Sequence, residues 1–172
     1  MNILITGASG FIGSYLFKYF KEKKFNVYGL LRKKTSINYL RKNNRNLIIC
    51  DLNNYEKLNK KIPSRIDIII HSGAFNDQDT NKNKQKAYMT NVYGTRNICE
   101  IARTRKVKFF FYFSVLQVYG RELSGIINTN SRVKCDNDYS LTHYLAENLC
   151  QNYSKILNTK FSVMRLGYMF GC

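Results

Sequence analysis

Short apolar runs alternate with amphipathic stretches along the whole chain. Asn2 to Ile5 is a continuous apolar run, and Phe11 to Lys23 follows it with Phe11, Ile12, Tyr15, Leu16 and Phe20 at helical spacing. Asn26 to Leu31, Leu47 to Cys50, Asp67 to Ile70, Lys108 to Phe113 and Phe161 to Leu166 read as further strands. Between them, Tyr55 to Lys61, roughly Gln85 to Arg103, and Tyr139 to Ile156 read as helices. Strands that are apolar throughout belong inside a sheet covered on both faces. Their alternation with helices predicts a doubly wound parallel sheet, a three-layer α/β/α fold of Rossmann type, with ligands bound beyond the carboxyl ends of the strands. Asn76 to Lys84 is polar and is expected to be a mobile loop beside the site. No internal repeat, low-complexity block or linker divides the 172 residues, so one domain is expected.

The first strand and first helix are joined by Thr6-Gly7-Ala8-Ser9-Gly10-Phe11-Ile12-Gly13. Glycines three apart remove Cβ where the backbone must turn tightly, approach a pyrophosphate and let the helix pack on the strand. The amides at the helix start then attract phosphate. A dinucleotide site is the expectation, with Gly7, Ser9, Gly10, Phe11, Ile12 and Gly13 at the phosphates. The second strand ends in Arg32-Lys33-Lys34, where a carboxylate would accept hydrogen bonds from the ribose of NAD. None stands there, and a guanidinium matches a 2′-phosphate as a planar fork. NADP is therefore favoured over NAD, the alternative being a plain basic loop.

Composition removes several classes of function. No apolar run approaches the roughly 18 residues of a membrane span, and the first residues read as strand rather than leader, so a cytoplasmic protein is expected. Five cysteines, Cys50, Cys99, Cys135, Cys150 and Cys172, are scattered without metal-ligand spacing and read as reduced. The net charge of +17 would suit nucleic acid. Its lysines, however, lie singly or in pairs on presumed solvent faces, beside abundant Asn and a single proline, Pro63, as a compositional bias toward A and T codons would produce. An RNA-binding Rossmann protein is thus the weakest of three readings.

The segment Thr6 to Gly13 resembles the fingerprint of the extended short-chain dehydrogenase/reductase superfamily, the nucleotide-sugar epimerases and dehydratases, and later segments extend the likeness. Asp51-Leu52 stands where that family reaches the adenine edge, although an Asp after a strand also caps helices. Gly73 and Ala74, after His71, match a segment passing under the cofactor, and His71 itself is read as a satisfied strand-end histidine. Asn91 to Thr95 resembles the N-x-x-G-T segment, whose Asn braces the active site.

The catalytic half departs from the pattern. Ser114 to Gly120 resembles the segment ending Val-Tyr-Gly, but the hydroxyl expected three residues before Val118 falls on Val115, which cannot donate a hydrogen bond. Ser114 is adjacent, though neighbouring strand residues face opposite ways, and Gln117 is a second substitute. Tyr139 to His143 aligns with the Y-x-x-x-K helix, in which the resemblance makes Tyr the acid/base and Lys the group that binds the nicotinamide ribose and lowers the tyrosine pKa. Here His143 replaces the lysine, which implies a weaker and more pH-dependent base. The last segment, Arg165 to Cys172, resembles R-x-x-N-x-Y-G-P with Tyr168 for Asn and Cys172 for Pro.

Family members continue into a smaller lobe that binds the nucleotide-sugar. This sequence ends before it, and a truncated or split product with an incomplete substrate pocket is expected. The resemblance implies an NAD(P)-dependent epimerase, dehydratase or reductase using Tyr139, His143 and Ser114, with Gly7, Gly10, Gly13, Arg32, Asp51, Leu52, Gly73, Ala74 and Asn91 at the cofactor. The departures favour a second reading, a non-catalytic dinucleotide-binding module or partner subunit. A homodimer through the helices Gln85 to Arg103 and Tyr139 to Ile156 is a further implication.

Overall fold

A computed structural model describes residues 1–33, 40, 44–122 and 125–170. Lys34 and Cys172, named above, lie outside the described residues. Six parallel strands form one sheet in the order β3-β2-β1-β4-β5-β6: β1 Asn2–Thr6, β2 Asn26–Leu31, β3 Leu47–Ile49, β4 Ile68–His71, β5 Phe109–Val115 and β6 Lys160–Leu166. The order reverses between β1 and β4, so the chain leaves these two paired strands toward opposite faces of the sheet and a crevice opens beyond their carboxyl ends. Among the described residues the helices that frame the sheet are α1 Phe11–Glu22, α2 Tyr55–Lys61, α3 Asp77–Lys82, α4 Lys84–Ala87, α5 Gly94–Thr104 and α6 Asp138–Ile156.

Alternation along each strand fills two separate cores. Ile3 and Ile5 of β1 pack with Phe17 of α1, Val27 and Ile70 on one face of the sheet. Leu4 of the same strand packs with Ile69, Phe110, Ile98 and Ile101 of α5, and Ala146 and Cys150 of α6 on the other. Burial is less complete at the β6 end than an apolar run suggests. On β5, Phe110, Tyr112 and Ser114 are buried, whereas Phe111, Phe113 and Val115 are half-buried and Phe109 is exposed.

Two expectations change. The segment 76–84 contains helix α3 rather than a mobile loop, because Asn76 accepts from the amide of Asp79 and Asn83 from that of Lys86, so each asparagine caps a turn that its polar composition would otherwise leave open. The helix expected from Gln85 to Arg103 is interrupted by a π-helical stretch, Tyr88–Tyr93, that joins α4 to α5. Thr95 Oγ1 donates to the Asn91 carbonyl there, competing for a backbone acceptor. No helix among the described residues is long and apolar enough to cross a membrane.

Candidate active site

The crevice opens at the glycine turn. Gly7 has φ +65°, and a Cβ on it would lie 2.7 Å from Gly73 Cα, so the β1 and β4 loops touch backbone to backbone. A Cβ on Gly13 would lie 2.3 Å from the Gly7 carbonyl oxygen, which is what brings α1 down onto the turn. The helices α2, α3, α4 and α6 each start on an asparagine whose side chain caps them. α1 starts on Gly10, with no side-chain cap, and Phe11, Ile12 and Gly13 at its first turn line the cavity. Free amides at an uncapped helix start beside bare glycine backbone fit a pyrophosphate.

Two adjoining cavities run along the strand ends and share Gly7, Gly10, Ser72, Ala74 and Phe75. The smaller, about 200 Å³, is lined by Ser9, Arg32, Asp51, Leu52 and Gly73. The guanidinium of Arg32 lies over the Phe75 ring, 5.3 Å from its centroid. Asp51 does not cap α2, since Asn54 does; its carboxylate accepts instead from the amide of Asn53. Leu52 is held by its carbonyl, which accepts from Asn97 Nδ2. The larger cavity, about 640 Å³, reaches Ser114, Val115, Gln117, Tyr139, His143 and Tyr168.

Behind the glycines His71 is buried with both ring nitrogens partnered, Nδ1 by Thr6 Oγ1 at 2.6 Å and Nε2 by Thr95 Oγ1 at 2.9 Å. Thr95 gives its own proton to the Asn91 carbonyl, so it accepts from Nε2–H, and Thr6 then donates to the bare Nδ1 while accepting from the Gly73 amide. Burial holds this imidazole down at about 3. It is a structural link between the glycine turn and α5. Thr6 and Thr95 are the members of that link that the sequence reading passed over.

Asn91 is buried in the π-helical stretch, where Oδ1 accepts from the Phe75 amide at 2.7 Å and Nδ2 donates to Thr142 Oγ1 at 3.0 Å. One carboxamide thereby fixes the loop after β4 to the helix turn that carries His143.

Tyr139 and His143 share a face of α6, their rings edge to face with centroids 4.9 Å apart. His143 is buried, Nδ1 lies 3.0 Å from Tyr112 Oη, and burial lowers its pKa to about 4. The Phe75 backbone offsets that depression in part, yet Nε2 closes no hydrogen bond. Burial, with Asp77 and Tyr168 nearby, pushes Tyr139 up to about 12. Ser114 is buried on the same strand face as Tyr112, and its Oγ has no hydrogen-bond partner among the described residues. β5 keeps its register with β6 through Val115 and Leu166, so Val115 takes the opposite face from Ser114. Tyr112 was missed in the sequence reading, although period-two alternation from Ser114 places it against α6.

One turn beyond His143, Glu147 is buried and receives Arg165 through Nε at 3.0 Å and Nη2 at 2.6 Å. Arg165 also donates to Tyr119 and lies over its ring. This pair ties β6 and the turn after β5 to α6, which holds the cavity's far wall.

Known proteins share this sequence pattern and fold. The chain is 34% identical to a dTDP-D-glucose 4,6-dehydratase of Dictyostelium discoideum over 99% of its own length and 44% of the relative's. It is 26% identical, with a TM-score of 0.80, to the UDP-glucuronic acid 4-epimerase of Bacillus cereus solved with UDP-glucuronic acid and NAD, covering 96% of this chain and 56% of that one. The UDP-Glc/GlcNAc 4-epimerase of Campylobacter jejuni shares the fold at a TM-score of 0.85 and 22% identity. The chain spans about half the length of these relatives. The model of the NAD dependent epimerase/dehydratase family matches residues 3–172, and the chain belongs to that family.

Proposed function

We propose that this chain holds a nicotinamide dinucleotide along the strand ends and, in the whole protein, takes part in hydride exchange with a nucleotide-sugar. The observation that carries the reading is the uncapped start of α1 on Gly10, with Gly7, Gly13 and Gly73 packed backbone to backbone beside it. Phe11 and Ile12 would present their amides to the phosphates. Ser9, Asp51, Leu52, Gly73 and Ala74 would hold the adenosine end, and Arg32, with no carboxylate at the end of β2, favours NADP over NAD. The cofactor supplies the acceptor or donor of hydride when bound. Tyr139 would exchange the proton at the sugar oxygen, with Ser114 and His143 hydrogen-bonding the oxygens beside it and Asn91 holding that turn in place.

The exposed apolar residues Met89 and Tyr93, and Leu141 and Leu145, recur four apart on the two long helical stretches. They support a homodimer packed through those helices, which sedimentation at rising concentration would test.

A second reading, a dinucleotide-binding module or partner subunit without turnover, is favoured by one feature. Among the described residues no cation stands beside Tyr139, and its phenol keeps its proton at neutral pH.

Calorimetric titration with NADPH, NADP, NADH and NAD, in the chain and in Arg32→Ala, tests the first reading. Binding with a phosphate preference that disappears in the variant supports it, and absence of binding to all four removes it. Tyr139→Phe then separates the two readings in the full-length protein. Loss of turnover with binding retained supports catalysis by Tyr139, and unchanged turnover removes Tyr139 from the reaction.

A further inference from the structure

Ser114 Oγ and His143 Nε2 are the two buried side-chain polar atoms among the described residues that lack a hydrogen-bond partner, and both residues line the larger cavity. A buried polar group left unpaired is costly, because it gives up its bonds to water and gains none in return. Two of them on one cavity point to a ligand that satisfies both. What that ligand must offer depends on which nitrogen of His143 carries the proton, and the residue behind it decides.

Tyr112 is 2% exposed, and its hydroxyl has one hydrogen-bond partner among the described residues, His143 Nδ1 at 3.0 Å. Burial raises this phenol well above its ordinary range, so it stays protonated. If Nδ1 carried the imidazole proton, Tyr112 would accept it and its own O–H would be buried without an acceptor. If Nδ1 is bare, the Tyr112 O–H donates to it and every atom of the pair is satisfied except Nε2–H, which closes no hydrogen bond although the Phe75 backbone acts on the same ring. The second arrangement removes one buried orphan that the first creates.

We infer that Tyr112 is a positioning residue that holds His143 as the Nε2–H tautomer and directs that N–H at a ligand hydroxyl in the cavity. The identity of that hydroxyl as the nicotinamide ribose rests on the dinucleotide reading; the tautomer does not. Ser114 Oγ, which can donate or accept, takes a second ligand oxygen. The site thus keeps the hydrogen-bond donor of the expected lysine and discards its charge.

The chain has two histidines, so its imidazole nitrogens are resolvable by long-range proton–nitrogen NMR, with His143→Gln assigning the pair. The expected wild-type pattern for His143 is a protonated Nε2 and a bare Nδ1. In Tyr112→Phe, which keeps the ring, that preference relaxes toward a mixture, the His71 signals stay in place, and Kd for the best-binding dinucleotide rises about three- to tenfold, the worth of one hydrogen bond. A protonated Nδ1 in the wild type, or an unchanged tautomer in Tyr112→Phe, overturns the inference; the wild-type spectrum decides even where the variant does not fold. Nε2–H in a wild-type chain that binds no dinucleotide supports the positioning by Tyr112 and removes the proposed function instead.

Discussion

Tyr139 and His143 stand one turn apart on α6, their ring planes inclined at 77° with centroids 4.9 Å apart, so the neighbour of the phenol is a neutral imidazole rather than a cation. Burial then acts unopposed and pushes Tyr139 up to about 12. Subtracting the alkaline absorbance titration of Tyr139→Phe from that of the wild type isolates this phenol among 13 tyrosines. The expected step lies near 12. In His143→Lys it moves down by about one to two units, as a nearby positive charge requires. A wild-type step at or below the ordinary tyrosine value would contradict the assignment.

The two buried histidines predict an acid-sensitive fold. His71 is held at about 3 and His143 at about 4, both mainly by burial, against an ordinary value of 6.5 in the unfolded chain. Folded values are depressed, so the unfolded chain binds more protons below 6.5, and stability that is complete above that value is lost as pH falls toward 4. Between pH 7 and 5 the loss should be about 2–4 kcal/mol, from one to two protons taken up on unfolding. The carboxylates of Asp67, Asp136 and Asp138 are lowered and give way only further down. Urea unfolding at the two pH values checks this, and equal midpoints would refute it.

Backbone contact at the glycine turn sets a steric prediction. A Cβ on Gly13 meets the Gly7 carbonyl oxygen at 2.3 Å, and neither atom belongs to a flexible side chain. Gly13→Ala should cost about 2–3 kcal/mol or more, with dinucleotide binding lost even where the variant folds. Gly125 has φ +71° but open space around its Cβ position. Gly125→Ala should cost only the conformational penalty, about 1–2 kcal/mol, and leave binding intact. Thermal melts and calorimetry on both variants distinguish steric from conformational cost.

Glu147, which is buried, and Arg165, whose side chain is 20% exposed, form a two-pronged ion pair, and removing the arginine leaves an uncompensated buried carboxylate. Arg165→Met should destabilise by about 3–5 kcal/mol, and the double variant Arg165→Met with Glu147→Leu should recover most of it. Chemical unfolding of the wild type, the two single variants and the double variant tests the coupling. Additive losses would mean that the two residues act separately.

The extent of the fold that could be read in advance follows from the range of the forces involved. β2 and α2 fall on the residues that hydropathy indicates, and β1, β3 and β4 differ by a residue or so, because period and length are local properties. Helix α3 escaped because Asn76 and Asn83 supply capping hydrogen bonds that hydropathy does not register. The π-helical stretch escaped because nothing in the spacing of Val92, Ile98 and Ile101 reveals a widened turn.

Which residues have the chemistry was settled by the sequence itself: the glycines of the turn, the phenol of Tyr139, and imidazole in place of ammonium at residue 143 are covalent facts. Only the tertiary structure decided their state. It set Tyr112 behind His143, put Ser114 rather than Val115 on the face of α6, and joined Phe75 to Thr142 through Asn91. Hydrogen-bond partners far apart in the chain and the desolvation of a buried ring exist only once the sheet has closed against its helices, and those two effects determine which proton each residue holds.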